Sequence, residues 1–173
     1  MTAVSNTPQN RNFLSQLNYK FIIKKAPNVN FFLQNVNIPS VQLVQVDTGN
    51  PFVKTPYPGD HIDFGVLKVS FKVDEDLQNY LEIFNWLKGL GFPEKYQQYS
   101  DIASQPSYSG ETIVSDISLI INASTKTPNY EFSFIDAFPI SLSEIQFNNI
   151  DNTVNYVNAE AVFKYTYFTV TNI

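Results

Sequence analysis

The chain has 173 residues, a formal net charge of −5 and no cysteine. Its length suits a single domain, and the absence of cysteine excludes both a disulfide framework and a cysteine-based metal site. Because sixteen acidic residues outnumber eleven basic ones, the chain lacks the basic surface expected of a protein that binds nucleic acid tightly.

Charged residues make up only 16% of the chain and aromatic residues 15%, whereas soluble domains usually carry about 25% charged residues. Such a chain is expected to hide much of its surface against copies of itself. No apolar run approaches the roughly 20 residues that span a bilayer, and the polar N-terminus lacks the apolar region of a secretory signal. We therefore expect no membrane insertion, and a location in the cell that makes the protein or in a particle assembled there.

The N-terminal part begins with a polar segment and continues with alternating residues. Residues 1–12 lack periodicity, which predicts a flexible arm that orders on assembly. Alternation of apolar and polar residues over Phe13–Lys25 and over Asn30–Asn37 predicts two strands joined as a hairpin.

A long stretch rich in proline and glycine follows an extended run at Val41–Val46. Residues 47–60 are predicted to form a loop, with a type II turn at Tyr57–Asp60. Loops of this length in a small domain are usually functional or mobile. If residues 47–60 form an extended arm, we expect them to reach another subunit.

The strongest pattern lies between Val66 and Pro93. Alternation from Leu67 to Val73 predicts a strand with one buried face. Apolar residues then recur every three or four positions, which predicts one principal α-helix over about residues 74–90, with Asp74 as its N-cap. Four residues of this stripe are predicted to anchor the helix to a sheet: Leu77, Leu81, Phe84 and Leu87.

The C-terminal part predicts further strands at Ser115–Ala123, Tyr130–Ile135 and Asn155–Val170, with a bend at Ala137–Pro139. Residues 94–111 predict an exposed loop or a short turn of helix. The predicted fold is therefore mainly β, a two-sheet β-sandwich or barrel with one principal helix. Residues 13–173 are expected to form this single domain.

No stretch carries a catalytic, cofactor-binding or metal-binding pattern. His61 lies near Asp60 and Asp63 but lacks further ligands at a metal-binding spacing, so it is best explained as a solvated loop residue. The acidic residues 74–76 already have a structural reason at a helix start. Trp86 and the alternating aromatic residues could form a sugar-binding platform, but core packing explains them better. We expect a protein that is not an enzyme and has no cofactor.

Several stretches, taken in order, match a known pattern. They are NVNIPSVQL, PYPGD, VDEDLQNYLEIFNWL, SDISLIINAST, YEFSFIDAFPISLSEI and AEAVFKYTYFTV. Together they resemble the tail tube proteins of phages with long contractile tails. The resemblance covers residues 13–171 and is most specific over Pro58–Leu87. Tube-initiating baseplate proteins and the tube proteins of bacterial injection systems are similar in this core.

The resemblance implies a structural role. Six copies would form a ring in which one sheet of each lines a shared β-barrel, and stacked rings would form the conduit for DNA ejection. The implied partners are further copies of the chain and the sheath, baseplate and tail-terminator proteins, while genomic DNA passes without tight binding. The implied location is the virion tail, assembled in the host cytoplasm. The alternatives are a tube-initiating baseplate hub protein of the same fold and a ligand-binding β-sandwich.

Two polar strand faces are candidates for lining the lumen, and the sequence leaves the choice open. One comprises Asn158, Glu160, Lys164 and Thr166, and the other comprises Lys68, Ser70 and Lys72. Candidate residues for contacts between subunits are the basic Arg11, Lys24 and Lys25, placed opposite the acidic Asp74, Glu75 and Asp76.

Overall fold

The computed structural model describes residues 12–49, 51–91, 93–104, 113–148 and 156–173. The predicted fold class, mainly β with one principal helix, is confirmed. Most of the predicted arm 1–12, including Arg11, lies outside the described residues. In chain order the elements are β1 (Tyr19–Ile23), α1 (Pro27–Phe31), β2 (Leu33–Val36), β3 (Val41–Thr48), β4 (Thr55–Phe64), β5 (Leu67–Lys72), α2 (Gln78–Gly91), α3 (Gln97–Ser104), β6 (Ser115–Asn122), β7 (Pro128–Leu142), β8 (Asn158–Lys164) and β9 (Tyr167–Asn172).

Seven strands form one sheet that is folded into two halves along β7. The first part of β7 pairs with β6 and β9, and its last part pairs with β8. Half-sheet A therefore has the order β1-β6-β7-β9, and half-sheet B has the order β7-β8-β5-β2. Asp136, where β7 changes partners, has a φ of 55°, a conformation that few non-glycine residues adopt. The bend predicted at Ala137–Pro139 thus lies beside a corner within one continuous strand.

The core lies between the inner faces of the two half-sheets. Alternate residues of β5 and β8, and the first three alternate residues of β6, are buried, and each large apolar side chain among them contributes about 1.5–3 kcal/mol. The alternation read from the sequence is therefore the pattern of strands with one face in the core. Its largest members, all at most 4% exposed, are Phe21, Leu67, Phe71, Ile117, Phe134 and Phe163.

Helix α2 covers the core with a different face from the predicted one. Its buried positions are Asn79, Ile83, Trp86 and Gly89. The prediction that Leu77, Leu81 and Phe84 anchor the helix is wrong, because these side chains are between 39% and 46% exposed. Leu87, the fourth predicted anchor, is partly buried and packs against the core.

Asn79 sets the rotation of α2. Its side-chain amide donates a hydrogen bond of 2.7 Å to the carbonyl oxygen of Lys72, and its Oδ1 accepts one of 3.3 Å from the backbone N–H of Asp74. These bonds hold the start of the helix against the end of β5 and turn Ile83 and Trp86 toward the core. Asp74 is consequently not the N-cap, and α2 begins at Gln78.

The predicted first hairpin does not form, so that prediction is wrong. β1 pairs with β6 and β2 pairs with β5, which places the two strands in different half-sheets. Helix α1 separates them, and the Asn30 side chain bonds both the N–H and the carbonyl oxygen of Ile23, at 2.9 and 3.1 Å. Asn30 therefore occupies the backbone groups through which β1 could have continued pairing.

The predicted loop at residues 47–60 is instead part of a hairpin formed by β3 and β4. The predicted type II turn at Tyr57–Asp60 is wrong, because these residues lie inside β4. Pro56 and Pro58 are tolerated there because, within the described residues, β4 pairs only with β3, so the missing N–H groups can face away from the ladder.

The longest predicted strand, Asn155–Val170, is two strands where the structure describes it. β8 ends at Lys164, and the chain crosses from half-sheet B to half-sheet A before β9 begins at Tyr167. The backbone N–H of Thr166 donates to the carbonyl oxygen of Ile135 at 3.0 Å, which fixes the crossing. The short helix α3 lies within the predicted segment 94–111.

Tyr165 makes the stability of the fold sensitive to alkaline pH. Its hydroxyl is buried without a hydrogen-bond partner in the described part of the chain, and burial raises the pKa of Tyr165 to about 12. Because the folded state disfavours the phenolate, the unfolding free energy is expected to fall as pH rises from about 10, the unfolded pKa, toward about 12. Tyr165→Phe is expected to remove this part of the alkaline loss.

At neutral pH the same substitution is expected to leave stability unchanged or to raise it by about 1 kcal/mol, since it removes an unsatisfied buried hydroxyl. Urea unfolding of both proteins, followed by Trp86 fluorescence below and above the ordinary tyrosine pKa, measures the difference. An alkaline loss of equal size in both proteins would contradict the assignment to Tyr165.

Candidate assembly surfaces

The two polar faces that the sequence offered as alternatives belong to one surface. β5 and β8 are neighbours in half-sheet B, with Ser70 opposite Glu160, and directly opposed residues point to the same side of a sheet. Thr166 is exposed but lies in the crossing after β8, outside this surface. We term the surface outer face B; its residues on β2, β5 and β8 are Asn35, Lys68, Ser70, Lys72, Asn158, Glu160, Val162 and Lys164.

Outer face B is polar apart from Val162, which lies opposite Lys68, and two of its lysines are held against the chain itself. The Lys72 ammonium lies 4.8 Å from the centre of the Tyr156 ring, a cation–π contact. Lys164 Nζ donates to the carbonyl oxygen of Phe64 at 3.2 Å. These contacts compete with any anion that approaches. The face therefore mixes charges of both signs with short polar side chains instead of presenting a basic stripe.

The hairpin of β3 and β4 is apolar and stands apart from the half-sheets. Two-stranded hairpins are marginally stable by themselves in water, and no third strand of the described chain pairs with this one. The hairpin therefore requires cover from another surface. Its apolar side chains that are between 51% and 57% exposed are Val41, Leu43, Val46, Tyr57 and Ile62.

Gly59 allows the two strands of the hairpin to approach closely. A Cβ added at this position would lie 2.3 Å from the carbonyl oxygen of Val44, and the pairing register shifts at this point between Leu43 and Gln45. The neighbouring His61 is exposed, with its Nδ1 2.5 Å from an oxygen of the exposed Asp60. Gly59 is thus a requirement of the hairpin's geometry.

A groove runs between β1 and β2, the edge strands of the two half-sheets. Its volume is about 1190 Å³, and Leu17 and Phe31, which line it, are 89% and 83% exposed. The Tyr19 hydroxyl donates to the carbonyl oxygen of Gln34 at 3.1 Å, so a single side chain spans the gap between the edges. The sandwich is open here, and it exposes both apolar side chains and strand edges, features that favour pairing with another chain.

The predicted charged contact residues lie around α2. Lys24 is exposed, whereas the Lys25 ammonium lies 5.3 Å from the centre of the Trp86 ring. Glu75 and Asp76 are exposed in the turn before α2. One oxygen of Asp74 is buried and accepts no hydrogen bond within the described chain.

Glu82 joins α2 to α1. Its carboxylate accepts hydrogen bonds from the backbone N–H and the side-chain amide of Asn28, at 3.1 and 2.8 Å. Partial burial raises the pKa of Glu82, although both bonds from Asn28 act in the opposite direction. The carboxylate thus fixes α1, and with it the end of the groove, to the principal helix.

Two kinds of feature are absent from the described residues: a cluster of metal ligands and a membrane-spanning helix. Within the described ranges, no group of three or more His, Cys, Asp or Glu side chains could hold a metal ion. No helix in those ranges is long and apolar enough to cross a membrane.

Comparison with known proteins yields matches in structure only. No protein-family model and no curated protein matches the chain. The tube-terminating cap of the anti-feeding prophage has a TM-score of 0.62 at 11% identity, over 100% of both chains. The sheath/tube terminator of the extracellular contractile injection system PVC has a TM-score of 0.64 at 11% identity, over 93% of this chain and 98% of that one.

A chain of the PVC sheath-tube complex has a TM-score of 0.60 at 10% identity, over 94% of both chains. The chain has the tail-tube fold. The resemblance read from the sequence is confirmed as a likeness of fold. The sequence did not reveal the groove, and the stripe that it predicted as the buried face of α2 is the exposed one, while Asn79, Ile83, Trp86 and Gly89 are buried.

Proposed function

We propose that the chain is a structural, non-catalytic subunit of the tube of a contractile particle. Copies form hexameric rings, and stacked rings enclose a conduit for the particle's cargo, which in a phage is the genomic DNA. The observation that carries this proposal is the open groove between β1 and β2, an apolar, strand-edged surface that suits a second copy of the chain. The likeness of fold to tube and terminator proteins supports it.

We assign outer face B to the lumen. In the part of the chain that the structure describes, half-sheet B has free edges at β2 and along the last part of β7. Its strands can therefore continue into a neighbouring subunit on each side and close a barrel without edges. Its lysines are partly engaged by Tyr156 and by the carbonyl oxygen of Phe64. These contacts hold two of the three lysines of the face against the chain itself, which limits their access to a passing polyanion.

The β3–β4 hairpin and residues 1–12 supply contacts between subunits or between stacked rings in this proposal. The hairpin is exposed along all eight residues of β3. Burial of its apolar side chains against another copy would be favourable, because it removes apolar surface from water. Sheath, baseplate and terminator proteins of the same particle are the remaining partners, and the particle is assembled in the cell that produces it.

A tube-terminating ring is the second candidate, because the chain matches the anti-feeding prophage cap over the full length of both proteins. A tube-initiating baseplate protein would likewise form a single terminal ring. A terminal ring closes the assembly on one side, whereas a repeated subunit stacks without limit. The number of rings formed by the pure protein therefore distinguishes these roles.

Negative-stain microscopy and native mass spectrometry of the purified full-length protein test the proposal. We expect hexamers that stack into tubes as concentration rises. Single rings that do not stack would favour the terminal-ring role. Monomers at every concentration, or rings of another symmetry, would overturn the proposal.

A further inference from the structure

Helix α2 carries a second apolar face that the core does not use. Leu81 and Phe84 lie three residues apart on α2 and therefore share one face of the helix, and Leu77 lies directly before the helix starts at Gln78. All three are between 39% and 46% exposed, and on the helix Leu81 and Phe84 lie on the opposite side from Ile83 and Trp86. We term these three residues the α2 stripe. A surface helix needs only one apolar face to pack on its own core. A second, exposed apolar face therefore indicates a contact with another molecule.

The α2 stripe has an acidic border. Glu75 and Asp76 are exposed immediately before Leu77. At the other end, Lys88 lies 3.0 Å from Glu94, so its charge is already paired within the chain. A partner that suits the stripe therefore combines apolar side chains with a basic one beside them.

The tip of the β3–β4 hairpin has this combination. Phe52 is 95% exposed and Val53 is 64% exposed, and the exposed Lys54 follows directly. The tip lies at the far end of the eight-residue strand β3, about 26 Å from the half-sheets at roughly 3.3 Å per residue. It can therefore reach a neighbouring molecule.

We propose that the hairpin tip of one copy docks on the α2 stripe of a second copy. Phe52 and Val53 lie against Leu81 and Phe84, and Lys54 lies beside Glu75 and Asp76. The inference rests on the proposed function, and it names the surface that receives the hairpin. Because tip and stripe are different surfaces of one chain, the contact is heterologous and repeats from copy to copy. Repetition of this kind builds a closed ring or an open stack.

The groove between β1 and β2 is the competing receptor for the tip, and charge argues against it. The one charged side chain among the residues that line the groove is Lys20, which has the same sign as Lys54. Like charges brought together disfavour a contact and help to fix its register. The groove remains free for the pairing of strand edges between subunits.

Disulfide trapping tests the docking, because the native chain has no cysteine. Val53→Cys and Leu81→Cys are combined in the full chain, which is assembled, oxidised and run on a non-reducing gel. We expect a ladder of covalent multimers. Either single variant can form dimers at most. The matched control combines Val53→Cys with Thr125→Cys, an exposed position in the turn between β6 and β7, and we expect no ladder from it.

Micrographs of the same samples separate the two levels of inference. Normal rings or tubes without a ladder would overturn the docking and leave the proposed function intact. Failure of the native chain to form rings would contradict the proposed function itself.

If the double-cysteine variant does not assemble, the docking is tested instead by exchanging the charges of Lys54 and of Glu75 and Asp76. Lys54→Glu is expected to raise the protein concentration needed for assembly by about two- to fivefold, the range of an exposed ion pair. Adding Glu75→Lys and Asp76→Lys is expected to restore it. No change on the first substitution, or no recovery on adding the others, would overturn the docking.

Discussion

Ile83→Ala is expected to lower the unfolding free energy by about 2–5 kcal/mol, the usual cost of truncating a fully buried aliphatic side chain. Leu81→Ala, on the same helix, is expected to cost less than about 1 kcal/mol. Ile83 is fully buried, whereas Leu81 is 40% exposed. Alanine has the highest helix propensity, so neither loss comes from the helix backbone.

Urea unfolding of dilute, unassembled protein, followed by the fluorescence of the single tryptophan, Trp86, measures both values. Leu81→Ala serves as the matched control for Ile83→Ala, because the two substitutions share the helix and the final residue. Losses of equal size would show that α2 is rotated differently from the structure. Leu81→Ala is nevertheless expected to impair assembly, since it removes the centre of the α2 stripe.

The sequence identified α2 correctly but not the face that it buries, and the reason is specific. Hydrophobic periodicity finds a stripe, and α2 has two of them. The choice between them depends on Asn79, whose bonds to Lys72 and Asp74 fix the helix rotation. Because asparagine is polar, a search for apolar periodicity treats Asn79 as evidence against the face that is in fact buried.

Strands were predictable where one face meets the core. β5, β6 and β8 alternate because their inner residues are buried. The pairing partner of each strand was harder to predict. β1 pairs with β6, which lies far along the chain, and strands that are consecutive in sequence are neighbours in the sheet only about two-thirds of the time. The β3–β4 hairpin was hidden for another reason. Its prolines and glycine are typical of loops, and only the lack of further pairing partners makes them acceptable in β4.

The same dependence on distant pairing explains why the sequence assigned the candidate lumen residues to two separate faces. Alternation within β5 and within β8 gave two separate polar faces. Their union into outer face B depends on the register that places Ser70 opposite Glu160. No local pattern carries that register.

Gly59→Ala is expected to abolish tube formation while leaving the core folded. An added Cβ would lie 2.3 Å from the carbonyl oxygen of Val44 and 3.1 Å from its carbonyl carbon. Both are backbone atoms, so the clash is relieved only if β3 and β4 move apart. Gly49→Ala is the matched control, because nothing lies within 4 Å of a Cβ added there.

Microscopy of the assembled protein and urea unfolding followed by Trp86 fluorescence are the measurements. Gly59→Ala should give folded protein with an unchanged Trp86 transition but without tubes, and Gly49→Ala should behave like the native chain. Normal tubes from Gly59→Ala would show that assembly does not depend on the close approach of β3 and β4. An equal loss from Gly49→Ala would show that the clash with Val44 is not the cause. Since a methyl group adds no charge and little apolar surface, loss of tubes from Gly59→Ala alone would trace to the geometry of the hairpin, which in the proposed docking presents Phe52 and Val53 in one fixed direction.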